Sequence, residues 1–266
     1  METGFVWKDF QRFLCGNYSK KNPINVGIHV PIGMGSTADK QVLPMLRDCA
    51  AHLSVNYTYS ADMTRSLLCM ILGLNNLYSP RKVSVYVHPL MSGLNTAAIY
   101  TQGVVDEIYH KAGIQRICKR IQDDVNSRVA IAAGHHCCNY YQWRKKAMDS
   151  VSDNDIDHVP ANVYAERLFA KYGDIAEHVH ILYGVTRGDV GLLMQHKGLL
   201  RESQKIGVYF IIIGQGMDEY ETYSDYVREM NYIITMDSPS TATMYTRLGE
   251  HTTYHLPEIG YEDFYK

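Results

Sequence analysis

Short apolar runs alternate along this chain with longer segments in which apolar residues recur every three to four positions, the periods of strands and helices respectively. Residues 24–33, INVGIHVPIG, alternate as a strand and end in a Pro-Ile-Gly turn, and 41–46 and 52–55 are two further short apolar segments. The spacing predicts a helix over 66–77, with Leu67, Met70, Ile71 and Leu74 on one face and Ser79-Pro80 as its stop. Residues 82–88, KVSVYVH, read as a strand, and 104–126 as a helix with Ile108, Ile114, Ile117 and Ile121 turned inward. A short apolar segment at 129–133 and a helix over 140–148 follow, and the polar run 149–158 reads as a surface loop. The remainder reads as a strand over 176–185, a helix over 190–202, the wholly apolar strand GVYFIIIG at 207–214, a helix or turn at 223–230 and a final strand at 232–236. Strands that alternate with helices predict an α/β three-layer fold with a central, mainly parallel sheet, and GVYFIIIG has the composition of a strand buried on both faces.

Composition narrows the picture. With 266 residues, 46% of them hydrophobic, the chain is long enough for one full-sized core, expected over 24–266 behind a lead-in of 1–23. A formal net charge of −2 argues against a strongly basic nucleic-acid surface. The six cysteines lack the spacing of a disulfide framework and several lie in apolar runs, which suits a reducing cytosol. The first residues, METGFVWKDFQRFL, lack the apolar core of a signal peptide, and no run reaches the ~20 apolar residues that span a bilayer.

Candidate chemistry centres on residues 51–74, AHLSVNYTYSADMTRSLLCMILGL, which read as strand, short loop and apolar helix in the order of a phosphate-binding segment. A working P-loop has the form G-x-x-x-x-G-K-[ST], in which glycines let backbone N–H groups close on the phosphates and a Lys neutralises them. Here the corresponding run ends in Ser60, Ala61, Asp62, Met63 and Thr64. Asp62 stands at the last glycine, Met63 at the lysine, and Thr64 keeps the Mg²⁺-binding hydroxyl. A carboxylate facing a triphosphate adds repulsion, and a thioether cannot replace an ammonium. ATP and Mg²⁺ binding is therefore disfavoured, although a helix N-terminus attracts anions without a Lys. Gly134-His135-His136-Cys137-Cys138 contains metal-ligand residue types, but adjacent pairs do not have zinc-site spacing, so a packed turn is expected and no metal. The twenty-one tyrosines cluster at 140–141, 220–226 and 261–265, as candidates for a recognition surface or for ordinary rim packing.

Four segments, in order, resemble the FtsK/SpoIIIE-type ATPase domains, most closely those of the type VII secretion coupling proteins EssC and EccC. They are Val30-Pro31-Ile32-Gly33; residues 52–74; the strand ending in Gly184 and Val185, where the family has its Walker B acids; and Arg201 through Gln215. The resemblance implies a RecA-like P-loop NTPase fold in a membrane-anchored protein that carries several such domains in tandem on the cytoplasmic side. It further implies the C-terminal, third domain, with Arg201 and Gln215 at positions that face nucleotide or a neighbouring subunit. Its implied partners are the other ATPase domains of the same chain and the signal segments of small helical secreted proteins. With Lys and both acids replaced, the resemblance implies a domain that docks substrate or regulates its neighbours without hydrolysing ATP. Two other readings stay open: an active translocase domain using Arg65 or Asp189 as substitute site residues, and a DNA translocase module, which the near-neutral charge disfavours.

Overall fold

A computed structural model describes residues 27–35, 40–46, 52–58, 60–78, 83–89, 118–120, 177–194, 208–215, 224–238 and 240–258. In chain order the elements are β1 (Gly27–Gly35), β2 (Lys40–Leu46), β3 (Leu53–Tyr57), α1 (Ser60–Leu77), β4 (Val83–Pro89), β5 (Cys118–Arg120) and β6 (Glu177–Val185). They continue with α2 (Arg187–Met194), β7 (Val208–Gln215), α3 (Ser224–Glu229), β8 (Tyr232–Ser238), β9 (Thr241–Thr246) and β10 (His251–His255). The ten strands form one sheet in the order β2-β1-β10-β9-β8-β3-β7-β6-β4-β5. From β8 to β5 every neighbouring pair is parallel, with β3 held between β7 and β8. From β8 out to β2 every pair is antiparallel. The sheet is thus parallel through six adjacent strands and antiparallel beyond them.

The two faces of the parallel half differ in chemistry because side chains alternate along a strand. One face presents Leu53, Val55 and Tyr57 of β3, Val83, Val85 and Val87 of β4, Val179, Ile181 and Tyr183 of β6, and Tyr209, Ile211 and Ile213 of β7, all in one buried cluster with α1. The opposite face carries buried polar and aromatic groups: His52, Ser54, Asn56, His180 and Phe210. Four rings cross this face strand by strand. Tyr86 stacks on His180 at 4.9 Å between centroids, His180 stacks on Phe210 at 5.5 Å, and Phe210 meets the edge of His52 at 5.4 Å. The Phe210 amide donates to His52 Nδ1 (3.1 Å), and the His52 carbonyl accepts from the amides of Asn231 (2.9 Å) and Tyr232 (3.3 Å). One residue thereby ties the start of β3 to both flanking strands. Tyr226 of α3 donates its hydroxyl to Ser54 Oγ (3.0 Å), which places α3 on this second face.

Helix α1 is apolar on all sides over its middle: Leu67, Leu68, Cys69, Met70, Ile71, Leu72 and Leu74 are all buried. The single inward face expected from the 3.6-residue period is therefore too narrow an account, and a helix apolar all round has to be enclosed. The sheet does this by curling. Although β8, β9 and β10 lie between β3 and β1, α1 packs against β1 as well as β3, β6 and β7. Gly73 sits so close to β1 that a Cβ there would lie 2.6 Å from Pro31 Cγ. The register of β1 on β2 shifts between Pro31 and Gly33, leaving Ile32 as the extra residue of a bulge, and Ile32 is buried. Gly33 follows with φ +143°, and a Cβ on it would fall 2.4 Å from the His255 carbonyl oxygen on β10. Pro31, Ile32 and Gly33 thus each have a packing task of their own, and Val30 is buried in the same cluster. Just past the C-terminal end of α1, the Tyr78 hydroxyl accepts from the His29 amide of β1 (2.9 Å).

Several sequence expectations are corrected. Helix α1 begins at Ser60, not at 66, and α2 begins at Arg187, not at 190. Within the helix expected over 104–126, Cys118–Arg120 instead form β5, parallel to β4 with Cys118 opposite Val85. There the edge of β4 supplies hydrogen-bond partners that the Ile spacing does not reveal. The strand at 232–236 is not the last, since β9 and β10 extend the sheet as an antiparallel hairpin turned at Gly249, whose φ is +83°. The elements expected at 129–133, 140–148 and 149–158 lie outside the described residues.

Two outcomes are expected. Gly73→Ala gains about 1 kcal/mol of helix propensity, but overpacking against the rigid Pro31 ring costs roughly 1–3 kcal/mol. The variant should unfold at lower urea than the parent, and a midpoint at or above the parent's would show that α1 and β1 do not touch there. Burial holds the His29 imidazole below its ordinary value. The folded state thus binds the proton less readily than the unfolded chain, so this contribution to stability is complete above about pH 6.5 and is lost as pH falls below it. The parent's thermal midpoint should drop more between pH 7.5 and 5 than that of His29→Gln, and equal drops would sink the attribution.

Candidate functional site

In open α/β sheets ligands bind beyond the carboxyl ends of the parallel strands. Here that edge gathers the β3–α1 junction, the end of β6 and the end of β7. The β3–α1 junction is short: β3 ends at Tyr57 and α1 starts at Ser60, so two residues connect them. A P-loop places four residues between its glycines, wrapping a cradle of N–H groups around phosphate. No such length is present between these elements. Ser60, Ala61, Asp62, Met63 and Thr64 are all helical, so the run expected to be a degenerate loop is the opening of α1.

Met63 has no exposed surface and belongs to the hydrophobic core. The position aligned with the phosphate-binding lysine therefore points its side chain into packed apolar groups rather than toward the sheet's edge. Thr64 is buried and Arg65 is half-buried on the same helix. Gln215, the last residue of β7, is exposed and its Nε2 donates to the Thr58 carbonyl (3.3 Å). This amide lies against the connection that a P-loop would occupy. Arg201 and the segment His135–Cys138 lie outside the described residues. Among the described residues no group of three His, Cys, Asp or Glu side chains is placed to hold a metal ion.

Strand β6, which ends in Gly184 and Val185, is separated from β3 by β7 alone. Its register on β7 shifts between Tyr183 and Val185, and Gly184 sits in the left-handed region at φ +74°. Glycine is suited to such a bulge because it lacks the Cβ that crowds this conformation. Val185 is fully buried. The two positions aligned with Walker B acids are thus a backbone bulge and a core side chain.

Asp189, a candidate substitute acid, is buried and already engaged. Its Oδ2 accepts from the Thr186 amide (2.8 Å) and from Thr186 Oγ1 (2.7 Å), while the Val190 amide donates to the Thr186 carbonyl (3.1 Å). Thr186-Arg187-Gly188-Asp189 has the capping-box pattern and starts α2, with the Asp189 carboxylate returning to the Thr186 amide and also accepting from the Thr186 hydroxyl. The S/T-x-x-D/E pattern was legible in the sequence and marks the true helix start. His52 and Ser54 had no such signal, because their roles come from strands distant in sequence. Of the tyrosine cluster at 220–226, a candidate for either a recognition surface or rim packing, Tyr226 is in the core, where burial pushes its hydroxyl well above the usual tyrosine range despite the Ser54 contact. Tyr57, Tyr183, Tyr209 and Tyr254 are likewise fully buried. Cys69 is a buried free thiol, raised above the ordinary thiol range by burial.

No protein-family model matches the chain, and no curated protein sequence matches it significantly. The fold itself is the RecA-like α/β fold of P-loop ATPases. Among solved structures, the chain is similar to the cytoplasmic domain of the type VII secretion ATPase EccC of Thermomonospora curvata, with TM-score 0.63 and 10% identity over 92% of this chain and 30% of that one. It is similar to ATPases 2 and 3 of EssC from Geobacillus thermodenitrificans, with TM-score 0.58 and 12% identity over 90% of this chain and 47% of that one. ATPases 2 and 3 of Thermomonospora curvata EccC in complex with a signal sequence peptide give TM-score 0.53 and 15% identity over 88% and 41%. The chain therefore spans less than half the length of each of these proteins. At such identities the likeness establishes the fold.

Two substitutions probe the site. Met63→Lys sets an ammonium among core residues, and an unpaired buried charge of this kind costs several kcal/mol. The variant should lose about 3 kcal/mol or more of stability and gain no Mg-ATP affinity, and a stable, ATP-binding variant would overturn the placement of Met63. Thr186→Ala removes the N-cap hydroxyl and should lower stability by about 1 kcal/mol, read from the denaturation midpoint. An unchanged midpoint would remove the capping box.

Proposed function

We propose that this chain is a RecA-like domain of a type VII secretion motor that does not hydrolyse ATP, and that it serves as a docking platform or regulator beside active ATPase domains. The observation that carries the reading is the β3–α1 junction, where two residues replace the phosphate cradle and Met63 lies in the core. Phosphoryl transfer relies on positioning and charge neutralisation by a P-loop Lys, a hydroxyl-bound Mg²⁺ and a Walker B acid. Met63, Gly184 and Val185 supply none of these charges. The translocase alternative draws on Asp189, whose Oδ2 is committed to Thr186, and on Arg65, half-buried on α1.

The platform reading draws support from the EccC structure that holds a signal sequence peptide. Its partners here are the neighbouring ATPase domains of a longer chain and the signal segments of small helical secreted proteins, bound by helix-in-groove packing. Within such a chain this would be the C-terminal domain, on the cytoplasmic side of the membrane to which the parent protein is anchored. No helix among the described residues is long and apolar enough to cross a membrane.

Titration of Mg-ATP into the purified domain by calorimetry should give no binding heat up to millimolar nucleotide. A helical signal peptide from a secreted substrate should bind the same preparation. Micromolar nucleotide binding would overturn the loss of the ATP site, whereas absence of both ligands would leave the docking role without support and sink that part of the reading.

A further inference from the structure

We draw no further inference here: the strongest candidate, the half-exposed outer face of β8–β10 on which Ile233, Tyr245 and His251 lie side by side, carries nothing because nothing among the described residues shows what covers it.

Discussion

The enclosure of α1 is the constraint on which the rest of the structure depends. A helix with apolar residues on every side cannot lie on a sheet with one flank in water. Burying a Leu, Ile or Met side chain is worth about 1.5–3 kcal/mol, and α1 buries seven such residues: Met63, Leu67, Leu68, Met70, Ile71, Leu72 and Leu74. That sum, on the order of 10–20 kcal/mol, is comparable to the whole net stability of a typical domain. The antiparallel strands β8, β9 and β10 continue the sheet until it curls back and brings β1 onto the helix. The closeness of Gly73 to Pro31 and of Gly33 to His255 are local consequences of that closure.

The second face of the sheet follows a different logic. His52, Ser54, Asn56 and His180 are buried there, and buried polar groups are tolerated when hydrogen-bonded. His52 meets the requirement with its ring and its carbonyl, joining β3 to β7 through Phe210 and to β8 through Asn231 and Tyr232. The aliphatic face supplies most of the burial energy. The polar-aromatic face adds directionality, because a one-residue slip of β3 would carry His52 away from the Phe210 amide and expose Leu53 and Val55 to the wrong side.

Much of the parallel half was legible before any coordinates. GVYFIIIG reads as a strand buried on both faces and HVHILYGV as a strand, and β7 and β6 are found there, with Tyr209–Gly214 and Val179–Val185 buried. What stayed hidden has physical reasons. Met63, four residues before Leu67, continues the apolar face of α1 backward, but the likeness of 57–64 to a phosphate-binding connection places the helix start at 66 and hides it. Strands β9 and β10 consist largely of Thr, Tyr and His, whose alternation is weak in hydrophobicity although strong in β-propensity. Strand β5 owes its form to the open edge of β4, a contact distant in sequence. At the site, the residues at 63, 184 and 185, Met, Gly and Val, are readable one by one and none carries a charge. The two-residue connection and the Gly184 bulge are backbone features and needed the fold.

Residue identity and backbone geometry at this site are tied together, which bears on how reversible the proposed loss of ATP chemistry is. Supplying a Lys at position 63 would not by itself rebuild a P-loop, since the side chain there is directed into the cluster around α1. The chain between Tyr57 and the helix would also have to lengthen, which means unwinding the first turn of α1. That unwinding would withdraw Met63 from the core. An acid at 184 would have to occupy a left-handed bulge, and one at 185 would have to displace a fully buried Val. Packing gain and the proposed loss of phosphate chemistry thus fall on the same residues. On the proposed reading, this is why the domain would retain the strand order of a motor while its β3–α1 junction serves rigidity.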